Sequence, residues 1–498
     1  GLTNLGGAID LIAPRIDTTG KITLPGDLNL AMGANQVRYA DAVIEHTRQP
    51  VSPPVDAQLF GAMRAGRINI ISTADGAGVK VAAPLTAKAD LTITSAGNLD
   101  ITGTPQQDSV RRTVLSSTEG DVRLRAKHDL QLAASDVNAR NIEATAGRNL
   151  TLDALSSERK TEERDQWEKK FWFVTTETYD KKTSETRVQQ HGSNLKATAD
   201  LAIKAGNNID LKASTASAGG TLQAAAGNDL RLTALNDSKE TRETLNHRKN
   251  LWRGDYEKTE KIETARSSSL TSGAAMELSS GQNLQVLGSQ VKSQGDLTMD
   301  AGGKIEIGTT RVIHESRQKD YEGDLLSGSF FGDNAKDDQS KDLVVGSRVE
   351  ANGTLRLSSE DVLISGSQVL GKQDALLISN GGSLTIDGAQ NIMTSDKSNT
   401  DSKLFGLLKD HTREQKDNTT QVRSQVQSQS NLRLQSASDL NVIGSDVSAQ
   451  DRLELEAAGD VNLLAGQSSA KTITETDQHG FSASAGETKE AAPGIKGS

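Results

Sequence analysis

The sequence DLAI at residues 200–203 is followed closely by NIDL at residues 208–211, and phrases of this kind recur along most of the chain. Each begins with Asp, Asn or Gly and continues with apolar residues at alternate positions. Alternation with a period of two is typical of a strand that buries one face. Gly, Asn and Asp tolerate or supply a positive φ, so we interpret each phrase as a turn followed by a short strand. Strands this short and this frequent favour a coil of stacked rungs over a sandwich.

A longer repeat is superimposed on these phrases. Two sets of landmarks recur at nearly constant spacing: Leu152, Leu232, Ile307, Ile386 and Leu463, and the Ser of an Ala-Ser or Gly-Ser pair at Ser135, Ser214, Ser289, Ser367 and Ser445. The agreement of two independent markers indicates internal repetition.

Each long repeat contains a charged insertion whose composition differs from that of the coil phrases. The five insertions are residues 156–191, 236–268, 310–343, 394–428 and 469–490, and they contain 12 of the 14 aromatic residues. Apolar clusters lie near the middle of four of them, at Phe171, Trp172, Phe173, Leu251, Trp252, Phe330, Phe331, Leu404 and Phe405. Charged arms rich in Thr around an apolar tip predict an extended β-hairpin. A helical hairpin is the alternative for residues 158–173, where Glu, Arg and Lys dominate.

Composition excludes several classes of protein and of site. The chain has no Cys, which excludes disulfides, Cys-based metal centres and a thiol nucleophile. A net charge of -10 gives no support to nucleic-acid binding, and we expect no nucleic-acid partner. No apolar run approaches the roughly 18 residues of a membrane span. The seven His are scattered without the spacing of a metal site, so we predict no metal, no cofactor and no catalytic residue.

We predict an all-β protein, a parallel β-helix (β-solenoid) with charged β-hairpin insertions that repeat about every 78 residues. Aromatics amount to only 3%, which suits a narrow interior lined by Leu, Ile, Val and Ala. About 17 rungs stacked about 4.8 Å apart would form a rod on the order of 80 Å long. Seven of the eight Pro lie at or before Pro105. We therefore divide the chain into residues 1–110, the repeat region 111–490 and a tail at 491–498.

Two parts of the chain resemble known exoproteins. Residues 1–16, 27–35 and 66–81 resemble the end of the secretion domain of two-partner-secretion exoproteins. Residues from about 110 to 490, and above all 439–447 and 459–465, resemble the haemagglutinin repeats of filamentous haemagglutinins and CdiA-type contact-dependent growth inhibition effectors. The resemblance implies a right-handed β-helix, secreted to the surface of a Gram-negative bacterium through an outer-membrane β-barrel transporter. The chain shows no leader and no toxin region, so we expect it to be part of a longer protein, either an adhesin or a toxin carrier.

The function expected from these features is non-catalytic: a rod-like stalk in cell-cell contact, adhesion or contact-dependent toxin delivery. The alternative is a carbohydrate-active β-helix enzyme, a lyase or hydrolase that uses two carboxylates facing a groove of the coil. The apolar tips either contact a receptor, a glycan or the membrane of a neighbouring cell, or fold back onto the rod and cover it. We favour the second interpretation, and we expect successive insertions to pack on each other along one side.

Overall fold

The computed structural model describes residues 1–33, 35–37, 44–46, 56–324, 331–403, 407–479 and 488–497. Three parallel sheets of 14 strands each enclose one continuous apolar interior. We call these sheets face 1, face 2 and face 3, in the order in which the chain visits them in each rung. The chain is therefore a parallel β-helix, as the sequence predicts.

The strands are short on every face. Face 1 consists of Leu2–Thr3, Ile22–Thr23, Met63–Ala65, Leu85–Ala87, Thr113–Ser117, Ser135–Ala139, Asn194–Ala197, Thr215–Ala218, Ser269–Ser272, Gln290–Ser293, Arg348–Ala351, Gln368–Gly371, Gln425–Ser428 and Asp446–Ala449. Face 2 consists of Ile9–Ala13, Asp27–Met32, Arg67–Ser72, Leu91–Ser95, Val122–Ala126, Ile142–Ala146, Leu201–Ala205, Leu222–Ala226, Met276–Ser280, Leu297–Ala301, Leu355–Ser359, Ala375–Ser379, Leu432–Ser436 and Leu453–Ala457. Face 3 consists of Asp17–Thr18, Ala57–Leu59, Val79–Val81, Leu99–Thr102, Leu130–Ala133, Leu150–Asp153, Ile209–Lys212, Leu230–Thr233, Leu284–Leu287, the first residues of Lys304–Asp324, Asp361–Ser365, Leu384–Asp387, Leu440–Ile443 and Val461–Leu464. Two short antiparallel pairs, Asn35–Val37 with Ile44–His46 and Thr104–Pro105 with Val110–Arg111, complete the elements outside the hairpins.

Alternation along each strand decides which residues fill the interior. In Leu222–Ala226 the first, third and fifth residues are buried and the two between them are partly exposed. Register then stacks buried residues directly on buried residues, since Leu222 pairs with Leu201 below and Met276 above. The result is a set of aliphatic columns with nearly zero exposure, in which burial of apolar area stabilises each rung against its neighbours.

One turn of the coil takes 21 residues where no hairpin intervenes, which is the separation of Asp200 from its partner Thr221 in the next rung. With 14 strands on each face, the described residues form 14 rungs and a rod about 60 Å long at the usual strand spacing. The expectation of about 17 rungs was too high, chiefly because two turns of the coil before the hairpins are long: 40 residues separate Leu28 from its partner Ile68, and 31 separate Leu91 from its partner Val122.

The Asn and Asp that open the phrases have a different role from the one predicted. Among the described non-glycine residues a positive φ occurs only at Ala134, Trp172, Ala213 and Asn250, so these turns do not need the left-handed conformation. Instead, each Asx side chain accepts the backbone N–H of the equivalent residue one rung later. The N–H of Asp229 donates to Oδ1 of Asn208 at 3.2 Å, and the N–H of Asn283 donates to Oδ1 of Asp229 at 3.1 Å. This Asx column satisfies backbone donors at the corner between face 2 and face 3, and a second one, in which Oδ1 of Asp200 accepts the N–H of Thr221, does so at the corner between face 1 and face 2.

The Gly two residues before each of these Asx positions is needed for space. A Cβ on Gly206, Gly227 or Gly281 would collide with the carbonyl oxygen of the Gly one or more rungs before it. These glycines let the backbones of successive rungs stack at the corner, and they do so with ordinary φ values.

Another column, made of Ser, occupies the corner between face 3 and face 1. Its members are buried: Ser135, Ser193, Ser214, Ser268, Ser289, Ser347, Ser367 and Ser424. Within it the N–H of Ser135 donates to Oγ of Ser193 at 3.1 Å, and the N–H of Ser193 donates to Oγ of Ser214 at 2.9 Å. The Ala or Gly before every second member has φ between 46° and 57°, which explains the Ala-Ser and Gly-Ser pairs in the sequence.

From Leu155 onwards, every second rung carries a hairpin at this Ser corner. Hairpin 1 is Leu155–Phe171 with Val174–His191, hairpin 2 is Leu235–Lys249 with Trp252–Arg266, hairpin 3 is the outer part of Lys304–Asp324 with Phe331–Gly346, hairpin 4 is Ala389–Lys403 with Leu408–Val422, and hairpin 5 is Gln467–His479 with Thr488–Gly497. The limits differ from the sequence prediction by one or more residues at each hairpin, and most at hairpins 4 and 5. Residues 425–428, expected in the fourth insertion, form a strand of face 1, and residues 491–497, expected as a tail, lie in the return strand of hairpin 5.

The hairpins join into one antiparallel sheet of ten strands, which we call the fin. The return strand of each hairpin pairs with the outgoing strand of the next, for example through Thr183 with Glu243 between hairpins 1 and 2. The same pairing links hairpin 2 to 3, 3 to 4 and 4 to 5. The prediction that successive insertions pack on each other is therefore confirmed.

The Ser that follows hairpin 1 closes the base of that hairpin. Oγ of Ser193 donates to the carbonyl of Asp153 at 3.1 Å and to that of Leu132 at 2.9 Å, and it accepts the N–H of Ser135. We expect Ser193→Ala to lower the free energy of unfolding by about 1–3 kcal/mol, because a buried donor loses its acceptor. Thermal and guanidinium unfolding measure the effect. The control is Ser217→Ala, whose hydroxyl is partly exposed and makes one long bond of 3.5 Å to the carbonyl of Leu195; equal stability of the two variants would contradict the role of the Ser column.

Candidate interaction surface at the hairpin tips

The arms of the fin are strands because their sequences alternate Thr and Ser with charged residues. Residues 158–173, for which a helical hairpin was the alternative, lie in the strand Leu155–Phe171 and in the turn that follows it. Thr favours the extended backbone, and a strand paired to a neighbour satisfies backbone groups that a solvated loop would leave to water.

The fin is a single layer with two polar faces. In its inner strands, such as Val174–His191, residues of both parities are partly exposed, so neither face is buried in the way that the interior of the rod is buried. Cross-strand ion pairs link neighbouring hairpins: Nζ of Lys181 lies 2.8 Å from Glu243, and Nζ of Lys239 lies 3.0 Å from Glu185. Backbone pairing over eleven or more residues at each contact, supplemented by such pairs, holds the layer together.

Several carboxylates of the fin have lowered pKa values. Hydrogen bonds from His247 and Lys169 lower the pKa of Glu177, and Arg164 lowers the pKa of Asp180. Lys239 lowers the pKa of Glu185, and Arg413 does the same for Asp396. Since the folded pKa lies below the ordinary value, these groups stabilise the fin above about pH 4, and that contribution is lost as the pH falls through the folded pKa.

The first strand of the fin explains the high charge of the first insertion. Leu155–Phe171 pairs on one side only within the described part of the chain, with Val174–His191. Its residues from Glu158 onwards are exposed. An edge strand exposes unpaired N–H and C=O groups that can template aggregation, and charged side chains oppose this. The short pair Thr104–Pro105 and Val110–Arg111 lies at the same corner two rungs earlier, in phase with the hairpins.

The described residues at and beside the hairpin tips lie at the outer margin of the fin. Phe173 is 96% exposed, Trp172 is 83% exposed and Trp252 is 53% exposed, and Phe171, Leu251 and Phe331 are also exposed. The interpretation in which the tips fold back onto the rod is wrong for these residues, because edge-to-edge pairing of the arms directs the tips away from the coil. Phe330, Leu404 and Phe405 lie outside the described residues.

Register fixes the relative heights of the described arms. Trp252 pairs with Asp324, and Phe331 pairs with Lys403, so the described arms of hairpins 2, 3 and 4 reach nearly the same level. Hairpin 1 is longer: its Thr176 carbonyl accepts the N–H of Asn250 at the turn of hairpin 2. Residues 171–175 therefore extend beyond hairpin 2, by about 10 Å at the usual strand rise.

The turn of hairpin 1 is strained. Trp172 has φ 57°, and the corresponding turn residue of hairpin 2 is Asn250 with φ 55°. Asn tolerates this left-handed conformation, whereas a bulky residue there is an outlier that costs about 1–2 kcal/mol. Trp172 has no burial to offset that cost.

Below the tip of hairpin 1 lies a cluster that sequence reasoning did not find. The rings of Trp167 and Tyr179 stack with centroids 5.3 Å apart and an interplanar angle of 7°, and His247 meets Tyr179 edge-on at 6.1 Å. Nζ of Lys169 lies 4.8 Å from the centroid of the Trp167 ring. The carboxylate of Glu177 is hydrogen-bonded to Nζ of Lys169 and to Nε2 of His247, each at 3.0 Å. The cluster joins both arms of hairpin 1 to hairpin 2. Its only signal in the sequence is that Trp167 and Tyr179 are nearly equidistant from the turn.

Few other features of the described residues suggest chemistry. Across the described ranges no group of three or more His, Asp and Glu is placed to hold a metal ion. Nor does the described part of the chain contain a helix long and apolar enough to cross a membrane. One carboxyl stands apart: burial raises the pKa of Asp100 on face 3, and the neighbouring Lys80 opposes that rise.

Two family profiles match the chain. One, described as a hemagglutinin repeat, matches residues 74–170, 172–251, 252–402 and 406–498, and the other, described as a haemagglutinin repeat, matches residues 4–103.

Among curated proteins, a hemolysin of Serratia marcescens is 26% identical over 89% of this chain and 30% of its own length. A hemolysin of Proteus mirabilis is 27% identical over 89% of this chain and 29% of its own length. The tRNA nuclease CdiA-2 of Burkholderia pseudomallei is 28% identical over 21% of this chain and 3% of its own length. The chain thus spans about 30% of the length of the two hemolysins. No solved structure matches it significantly.

The edge strand provides a test of how the fin is kept soluble. We expect Glu163→Val with Asp165→Val to cause concentration-dependent self-association, because the exposed edge then lacks two charges and gains β-branched residues. Sedimentation velocity measures it. The control is Thr241→Val with Glu243→Val in the strand Leu235–Lys249, which is paired on both sides. If the edge variant sediments as the parent does at every concentration, the claim that these charges prevent self-association is contradicted.

Proposed function

The chain belongs to the haemagglutinin-repeat family of filamentous haemagglutinin-type proteins, and on that premise we propose that it is the stalk of a secreted, cell-surface exoprotein of a Gram-negative bacterium. The stalk holds the contact-making or toxic parts of the whole protein away from the cell that produces it. The observation that carries the proposal is the repeated rod, in which the same three faces recur through the 14 described rungs around one continuous apolar interior.

The names of the relatives bear on what the stalk carries. Two relatives are hemolysins and one is a tRNA nuclease, and in each the matched part is a minority of the length. Delivery of a toxic activity to a target cell is therefore the role we favour for the whole protein, with adhesion as the second role in the same class. In both roles the exposed hairpin tips make contact with the neighbouring cell.

Export through a dedicated outer-membrane β-barrel transporter of the two-partner type suits this chain physically. A chain that crosses the periplasm unfolded is better without thiols that could cross-link, and this one has no Cys. Folding outside the cell can then proceed rung by rung, because each rung contacts mainly its neighbours.

The alternative, a carbohydrate-active enzyme, would rest on Asp100. A raised pKa is the property of a general acid, which would be the role of Asp100. The pKa of Asp56 is lowered and its carboxylate lies 3.1 Å from Nζ of Lys80, so Asp56 would be the ionised carboxylate that acts as the base. Depolymerisation of acidic or neutral polysaccharides by the purified chain, lost in Asp100→Asn, would favour the enzyme; we expect no depolymerisation.

Export provides the test of the proposed function. In the native bacterium, deletion of the cognate transporter should leave the full-length protein in the periplasm and remove it from the cell surface. Surface proteolysis and fractionation measure the distribution, and re-expression of the transporter should restore it. An unchanged surface level without the transporter would contradict the proposal.

A further inference from the structure

The tips of hairpins 1 and 2 form one exposed apolar surface with basic surroundings. Four consecutive residues of hairpin 1, Phe171 to Val174, and two of hairpin 2, Leu251 and Trp252, are each more than half exposed. Soluble proteins seldom expose aromatic residues in such a group unless the surface meets a partner. The backbone makes the pairs at this level, such as Phe171 with Val174 and Trp252 with Asp324, and such pairing does not require apolar side chains.

The strain at Trp172 is a second and independent indication. A turn residue with φ 57° would be better as Gly or Asn, and hairpin 2 has Asn250 at the corresponding place. A strained residue whose side chain does not stabilise the fold points to a function of that side chain. Here the side chain is an indole in a turn that extends beyond the tip of hairpin 2.

Charge distinguishes this part of the tip row from the rest. Lys169, Lys170, Arg248, Lys249 and Arg253 surround the tips of hairpins 1 and 2. Within residues 168–177 and 248–255 the acids are Glu168, Glu177 and Asp255, which leaves an excess of two positive charges next to the tips. Hairpin 3 has the opposite character near its tip, with Glu322, Asp324 and Asp333. Exposed Trp and Phe beside Lys and Arg are the residues that proteins place at the interface of a bilayer.

We propose that the tips of hairpins 1 and 2 dock on an anionic phospholipid surface, with Phe171, Trp172 and Phe173 inserted at the headgroup level. The geometry suits this depth, because hairpin 1 extends about 10 Å beyond hairpin 2 and interfacial side chains reach about 5–10 Å into the boundary. Trp252 and Leu251 then meet the headgroups, and Arg248 and Lys249 pair with lipid phosphates. The inference rests on the contact role proposed above for the tips and names their partner.

Vesicle flotation with the purified full chain tests the proposal. We expect the chain to float with vesicles made of a two-to-one mixture of phosphatidylcholine and phosphatidylglycerol, and at least fivefold less with vesicles of phosphatidylcholine alone. Phe171→Ser with Trp172→Asn and Phe173→Ser should reduce flotation at least tenfold, while the melting temperature stays the same or rises because the turn strain is removed. Arg248→Gln with Lys249→Gln should reduce binding to the anionic vesicles and leave the weak binding to phosphatidylcholine unchanged.

Trp167→Phe is the matched control, since Trp167 is also on hairpin 1 but stacks on Tyr179 below the tip. It should leave flotation unchanged, and in this background the fluorescence of Trp172 and Trp252 should shift to the blue on binding. Failure of the parent chain to float with either vesicle, or equal flotation of the triple variant, would overturn the inference. Binding to cells without binding to vesicles would also overturn the inference and would identify a protein or glycan receptor. None of these outcomes would change the result of the export test, so the two proposals fail separately.

Discussion

The structure depends on the equality of two spacings. Successive rungs of the rod rise by about 4.8 Å, because they are hydrogen-bonded parallel strands, and adjacent strands of an antiparallel sheet are separated by the same distance. A hairpin contributes two strands, so hairpins on every second rung lie at the spacing at which their neighbouring arms can pair. The long repeat of the sequence follows from this, since each repeat consists of two rungs and one hairpin.

Because the two spacings match, the chain forms two parts, the rod and the fin, which are stabilised by different interactions. The rod buries aliphatic residues in register and satisfies its corners with columns of Ser, Asx and Gly, each of which works only if the next rung repeats it. The fin buries no core and is held by backbone pairing and by ion pairs between hairpins. Aromatic residues, which a narrow interior cannot accommodate, are concentrated in the fin and are most exposed at its tips.

Sequence reasoning recovered the periodic features, because each one is repeated many times. Period-two alternation predicted the strands, equal spacing predicted hairpins that pack together, and the apolar clusters marked the tips. The role of Asp229 and its equivalents was misread, since a side chain that accepts a hydrogen bond from the next rung looks the same in sequence as one that relieves a positive φ. The exposure of Trp172 and the stacking of Trp167 on Tyr179 depend on register between arms, which no local pattern specifies.

The match between rung rise and strand spacing is tested most directly by changing the number of rungs that separate two neighbouring hairpins. Duplicating residues 194–214 inserts a single rung between hairpins 1 and 2, whereas duplicating residues 194–268 inserts two rungs and a hairpin and preserves the phase. Hydrogen–deuterium exchange of Val174–His191 and Leu235–Lys249 then reports whether the facing arms remain paired. Faster exchange of these arms after the single-rung insertion, with protection retained in the rungs and after the longer insertion, is the result that the account predicts. Equal protection of the arms in both variants would contradict it.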